Sequence, residues 1–510
     1  MKITRRKSAP VVLLAFCCAV WTAPAEADFD KATEFFHRGQ YSDAIRELQP
    51  LVEAGDPAAM NAMGVHFHNG YGVSKNARAA AQNYRNAAEK GYAEAQFNLA
   101  NVLMGGDDGV AKDERQAAVW MRKAANQDYA DAQRELGYMY ADGTGVPKDL
   151  ALSFEWLRKA ADKGSAKAQY SVGWALAYGV GVAQDKPAAV EWLKKSADQN
   201  VADAQRSLGV LLFNGDGVKK DQPLGTQWLR KAADQGDITA QINLGNIYRN
   251  GLGTPKNDKQ SNDWYKKAAE QGSGTAQREL GHAYRFGYGV DEDEREAARW
   301  YRMAADQGDA AASNNLGDLH ERGAGGLRQD YVEAVRLYEA AARQGEPYGQ
   351  RNLAKMYREG LGVRSDAVVA YSWINLAASA ESPHPKAADE RDAMAQYMPK
   401  DLIGEGQRLA REWKPGTPLG KSKLKPIEVA PLAVAWAMKV GKAMDARLAD
   451  QQASQYPARP EAKTGLTTCN TRCVNGDCYR TYGDGRKVNF QARQKWNPFN
   501  NQFDWDSGSC

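Results

Sequence analysis

Along most of the chain, apolar residues recur at the three-and-four spacing of amphipathic helices, and the pattern itself repeats. Trp120, Trp156, Trp192, Trp228, Trp264 and Trp300 stand 36 residues apart. Trp373 follows, with Leu337 in the intermediate place. A second ladder keeps the same period through Gly55, Gly91, Asp128, Gly164, Asn200, Gly236, Gly272, Gly308 and Gly345. The unit 165–200 predicts a first helix over Ala166–Ala177 and a second over Pro187–Asp198. Between them Gly179-Val180-Gly181-Val182 breaks the helix, and its last valine is expected to plug the turn into the core. The ladder glycines stop the second helices in the left-handed region, where Asn and Asp are the best substitutes. Gly137, Gly209, Gly245, Gly281 and Gly317 fall in the middle of first helices, which costs helix stability. Close approach of the neighbouring helix is the expected compensation.

The recurring A-x-A-Q-x-x-L-G-x-x-Y-x-x-G-x-G-V, followed by A-x-x-W-x-x-K-A-A-x-x-G, resembles the Sel-one-like repeat, a relative of the tetratricopeptide repeat. The resemblance implies an all-α, right-handed superhelical α-solenoid of about nine 36-residue helix-turn-helix repeats over 56–381. Residues 28–55 resemble a tetratricopeptide helix pair through Ala32, Phe36, Gly39, Tyr41, Ala44, Leu48 and Pro50. Residues 382–413 read as a capping helix pair, the polar end that an open solenoid needs.

The ends of the chain differ in kind. Lys2, Arg5, Arg6 and Lys7 precede an apolar run from Val11 to Val20, and Ala25-Glu26-Ala27 offers a cleavage site. Residues 1–27 therefore read as a signal peptide cut near Ala27, which implies a periplasmic or secreted protein. Prolines and lysines from Lys414 onward read as a linker over 414–464, with a short helix near 432–449. The last segment, 465–510, turns to β patterning, with Asn475-Gly476 and Asp484-Gly485 as hairpin signals. Asn500-Asn501 is expected to turn a further hairpin that sets Trp496 opposite Trp505. Once the signal leaves, the remaining cysteines are Cys469, Cys473, Cys478 and Cys510, an even set that implies disulfides in an exported chain. Three pairings are open. A two-residue turn at Asn475-Gly476 favours Cys473–Cys478, which leaves Cys469–Cys510, and the segment reads as a small disulfide-stapled β domain.

Charge narrows the partners. The net charge of +4 argues against a nucleic-acid binder built on bulk charge. It also conceals an asymmetry: section 28–413 carries about −6 and the tail from Lys414 about +7. No other stretch reaches the length of a membrane span. Catalytic chemistry finds no foothold. The cysteine spacing suits disulfides better than zinc, and the Gly-x-Gly-Val runs lack the preceding strand of a phosphate cradle. No G-x-S-x-G nucleophile is present. No cofactor or metal is expected, and the chain reads as a non-enzyme.

One position varies inside the fixed frame. The residue after the Leu-Gly step runs Val65, Asn101, Tyr138, Trp174, Val210, Asn246, His282, Asp318 and Lys355. In related solenoids the first helices line the concave face, so the resemblance puts this stripe there. Tyr138, Trp174 and the nearby Tyr178 form an expected aromatic patch, and Asn246, His282, Asp318 and Lys355 its polar continuation. Ordinary surface variation is the alternative. The function expected is that of an exported scaffold or adaptor binding a protein or peptide on the concave face, in envelope processes or host interaction. The competing readings are peptidoglycan or glycan binding through the aromatic β tail, with cell-wall contact, and a weak lactam or cell-wall hydrolase.

Overall fold

The computed structural model describes residues 28–106 and 109–424, together with the backbone of five strands between 470 and 505. The expected signal 1–27, the short helix near 432–449 and the Cys469–Cys510 assignment lie outside the described residues, and of Cys473 and Cys478 only the backbone is described. The chain divides into two compact units, Met1–Gln199 and Asn200–Cys510.

The first unit opens with α1 (Phe29–His37) and α2 (Tyr41–Glu53). Four helix pairs follow. They are α3 (Pro57–Asn69) with α4 (Ala77–Glu89), α5 (Ala93–Gly105) with α6 (Glu114–Asn126), α7 (Ala130–Asp142) with α8 (Leu150–Asp162), and α9 (Ala166–Tyr178) with α10 (Lys186–Asp198). The second unit holds five more pairs. They are α11 (Ala202–Asn214) with α12 (Gln222–Asp234), α13 (Ile238–Asn250) with α14 (Asp258–Glu270), α15 (Gly274–Phe286) with α16 (Glu294–Asp306), α17 (Ala310–Arg322) with α18 (Tyr331–Arg343), and α19 (Pro347–Glu359) with α20 (Ala367–Ser379). Then come α21 (Ala387–Ala395) and α22 (Lys400–Glu412). The helical part is thus an all-α repeat solenoid of 22 helices.

The helix limits follow from local chemistry. All nine second helices begin at an Asp or Asn whose side chain accepts a backbone N–H, from Asn76 and Asp113 through Asp330 and Asp366. Such caps are worth about 1 kcal/mol each. The second ladder sits at left-handed φ throughout, with Asp128 at 64° and Asn200 at 66° as its two non-glycine members. Lys163 reaches the Asp128 carboxylate at 2.8 Å and its carbonyl at 2.7 Å.

Packing explains the invariant frame. A Cβ at Gly173 would lie 2.7 Å from Leu193, and one at Gly281 would lie 2.5 Å from the Tyr301 ring. The mid-helix glycines thus let the second helix of the same repeat approach, as expected. The Gln of the Ala-Gln step ties three helices together. Gln277, buried on α15, donates to the Ala269 carbonyl of α14 at 3.2 Å and accepts from Gln307, just beyond α16, at 2.8 Å. Gln169 and Gln241 make the same two bonds. Trp192, Trp228, Trp264, Trp300 and Trp373 are buried, and Trp120 and Trp156 are half-buried. This burial removes the ladder as an aromatic platform for sugars and makes it core.

In the tail, strands β1 (Asn470–Val474), β2 (Asp477–Thr481) and β3 (Lys487–Gln491) form one antiparallel sheet in that order. Val474 stands opposite Asp477 and Cys473 opposite Cys478. Strands β4 (Gln494–Asn497) and β5 (Gln502–Trp505) pair separately. Here the expectation fails. Trp496 lies opposite Phe503 and Gln494 opposite Trp505. Four residues, 498–501, separate the two strands, and the register is shifted by two from the expected one.

Candidate binding face

The variable stripe lies on the first helices, and the two units treat it differently. In the first unit Trp174 is 42% exposed and Tyr178 57% exposed. Their rings are 5.3 Å apart and tilted by 47°. Tyr138 is half-buried, and its hydroxyl bonds Ser171 of the next first helix at 3.1 Å.

In the second unit the stripe residues are half-buried and bonded to neighbours. Asn246 accepts from the Tyr265 hydroxyl at 2.7 Å. The His282 ring meets the Asn315 amide at 3.3 Å, linking α15 to α17. Asp318 pairs with Arg285 and, at 3.1 Å, with Arg322. Lys355 pairs with Glu321 at 2.8 Å, linking α19 to α17. Asn246 is thus tied within its own repeat, while His282, Asp318 and Lys355 tie successive repeats together. The structure brings Trp174 and Tyr178 together as an open pair and engages Asn246, His282, Asp318 and Lys355 in ties within the fold.

The electrostatics of this second face centre on Glu279. Burial alone would raise its carboxyl, but the Arg249 and Arg278 guanidiniums outweigh that and hold it at about 2. It pairs with Arg249 of α13 and with Arg278 beside it. Arg278 also reaches Asp309 at 2.6 Å. Burial pushes the neighbouring His282 down to about 4, against the attraction of Glu279, so its ring is neutral at pH 7. Burial pushes the Tyr265 and Tyr301 hydroxyls up, so both stay protonated.

Sequence reasoning overlooked two exposed aromatics beside this network, Phe286 (49% exposed) and Tyr288 (44%). Their rings lie 5.7 Å apart, and Phe286 stacks on His282 at 6.1 Å. Phe286 occupies the repeat position of Tyr178, so the last residue of each first helix was the available signal. Tyr288 is the variable residue of the following Gly-x-Gly-Val run, in register with Val180, Asp216 and Leu252. Among the described residues no group of three His, Cys, Asp or Glu is placed to hold a metal ion, and no helix is long and apolar enough to cross a membrane.

The chain is similar to known proteins over most of its length. It covers 86% of its residues against 88% of a crystal structure from uropathogenic Escherichia coli, at 29% identity and a TM-score of 0.68. That protein is described as a protective antigen displaying an SLR fold. A Sel1 repeat protein from Oxalobacter formigenes matches 60% of this chain and 89% of its own, at 30% identity and a TM-score of 0.50. No curated protein matches the chain. The Sel1 repeat model matches nine times in unbroken succession, at 57–92, 93–129, 130–165, 166–201, 202–237, 238–273, 274–309, 310–346 and 347–382. With more than half of its residues matched repeat by repeat, the chain belongs to the Sel1 repeat family.

Proposed function

We propose that this Sel1 repeat protein is an exported, non-enzymatic scaffold that binds a protein or peptide along its first helices, as the concave side of a right-handed superhelix. One observation carries the reading. A constant frame of Ala, Gln, Gly and Trp holds side chains that differ at one fixed position from repeat to repeat, and there Trp174 stands open to solvent beside Tyr178. Exposed aromatic anchors on a rigid support are what protein recognition uses. The apolar run before Ala27 and the clustering of the tail cysteines support a periplasmic or secreted location. The similar E. coli protein is described as a protective antigen, and we carry over from it a role in contact with a host.

Affinity capture from an envelope extract tests this with the full chain and a variant carrying Trp174→Ala, Tyr178→Ala, Phe286→Ala and Tyr288→Ala. All four side chains are exposed, so the melting curve is expected to stay put. A protein partner held by the wild type and lost by the variant is the expected result. Equal capture by both would move the partner off the first helices.

A further inference from the structure

Trp174 differs from the ladder tryptophans in what lies over its ring. Lys123, Lys159, Lys195, Lys231 and Lys267 each stand over the Trp three residues earlier, at 3.8 to 4.1 Å from the ring centre. Where Met303 replaces that lysine, Arg299 stands 5.6 Å from Trp300 instead. The attraction is between a cation and the negative face of the ring. Among the described residues no cation stands over Trp174, although its ring is open. Tyr178, one turn further on, adds a second open ring face at 5.3 Å.

The neighbouring first helix completes the corner. On α7, Tyr138 and Asp142 hold the repeat positions that Trp174 and Tyr178 hold on α9. The Tyr138–Ser171 bond fastens the two helices side by side. Asp142 is exposed and ends α7 one period before Tyr178 ends α9, on the neighbouring first helix. The surrounding section 28–413 is net negative, at about −6.

We propose that this corner of α7 and α9 is a cage for a cationic side chain, a lysine or arginine carried by a basic segment of the partner protein. Two electron-rich rings and a carboxylate match a positive group on an apolar stem. An acidic segment would meet Asp142 as a like charge, and a purely apolar one would leave that carboxylate to be desolvated without a partner. The inference rests on the partner reading above and specifies the partner's charge.

The test uses the full chain and three fluorescein-labelled Gly/Ser peptides of one length, bearing lysine, trimethyl-lysine or acetyl-lysine at the same three positions. Fluorescence anisotropy reads binding. Lysine and trimethyl-lysine peptides are expected to bind, because the cage reads charge and not a hydrogen bond, and the acetyl-lysine peptide to bind at least tenfold more weakly. Trp174→Ala and Tyr178→Ala should each weaken the lysine peptide about three- to tenfold, the range of an exposed to partly desolvated cation–aromatic contact. Asp142→Asn should weaken it about two- to threefold, as a surface charge pair would. Circular dichroism melts of the variants should match the wild type. Equal binding by Trp174→Ala, or by the acetyl-lysine peptide, overturns the cage. So does binding of a chito-oligosaccharide that Trp174→Ala abolishes while no lysine peptide binds. A captured partner that depends on Phe286 and Tyr288, with no lysine peptide bound, sinks the cage and leaves the partner reading standing.

Discussion

The side-chain amide of Gln307 donates to the side-chain oxygen of Gln277 at 2.8 Å, while Gln277 donates onward to the Ala269 carbonyl at 3.2 Å. One buried side chain thus joins the ends of two second helices through the first helix between them. Gln277→Leu removes both bonds, although the Ala269 carbonyl keeps the Gly272 N–H and the Gln307 amide keeps the Met303 carbonyl; at about 0.5–1.5 kcal/mol for each bond it should cost about 1–3 kcal/mol in urea unfolding. Gln307→Ala, which removes an exposed partner, should cost less. Equal stability of Gln277→Leu and wild type would show that the bonds are replaced by water at no loss.

The mid-helix glycines are matched to the residue after each ladder position. Where the glycine is Ala100 or Ala354, the second helix brings Met121 or Ile374 in place of leucine or tyrosine. Gly173→Ala should therefore destabilise by about 1–3 kcal/mol through overpacking against Leu193. Adding Leu193→Met should recover part of that loss, because an unbranched chain bends away. A double-mutant cycle on thermal melts measures the coupling, and strict additivity would remove Leu193 as the obstacle.

Asn243 on α13 is 1% exposed, and both polar atoms of its side chain lack a hydrogen-bond partner. The repeat register explains why. Tyr138 meets Ser171 and His282 meets Asn315, each 33 residues on, but the residue 33 before Asn243 is Val210. Asn243→Leu should stabilise the chain by about 1–2 kcal/mol by removing an unpaired buried amide. A loss of stability in denaturant titration would show that the amide is bonded inside the fold and contradict this reading.

Acid should loosen the second unit in two stages. His282 is held at about 4 against an ordinary 6.5, so the unfolded chain takes its proton first as pH falls. The stability that neutral His282 allows is complete above pH 6.5 and declines between 6.5 and 4. Glu279, held at about 2 against 4.5, adds a second decline between 4.5 and 2. Burial lowers His66 and His384 in the same direction. His282→Gln should flatten the first stage of a melting-temperature profile and leave the second. An unchanged slope between pH 6.5 and 4 would clear His282.

The period, the helix pairs and the left-handed ladder were readable because each follows from a backbone or packing demand that recurs nine times. Asp128 and Asn200 were readable for the same reason, as the side chains that best tolerate a glycine's angles. The stripe was readable as a position but not as a role. Spacing alone does not show that Asp318 and Lys355 lie within reach of Arg285 and Glu321, because those partners come from the same or the neighbouring repeat and vary with it. Tyr288 was readable as the x of its Gly-x-Gly-Val run but not as an exposed ring, since Val180, Asp216 and Leu252 at the same place differ in kind. The tail register missed because two adjacent asparagines suggest a tight turn, whereas the strands close over four residues.

The three-helix glutamine tie has a genetic corollary. Excision of residues 238–273, one full period, would bring Gln277 to the Ala233 carbonyl that Gln241 now occupies, with Gln307 still at its other side. Both glutamine bonds are re-formed with a chemically identical neighbour, whereas the Arg249–Glu279 pair is lost, because Phe213 stands one period before Arg249. Unequal recombination between repeats can therefore lengthen or shorten the chain without opening its core. What changes is the string of side chains shown to a partner, so repeat number is a heritable variable on which selection for recognition can act.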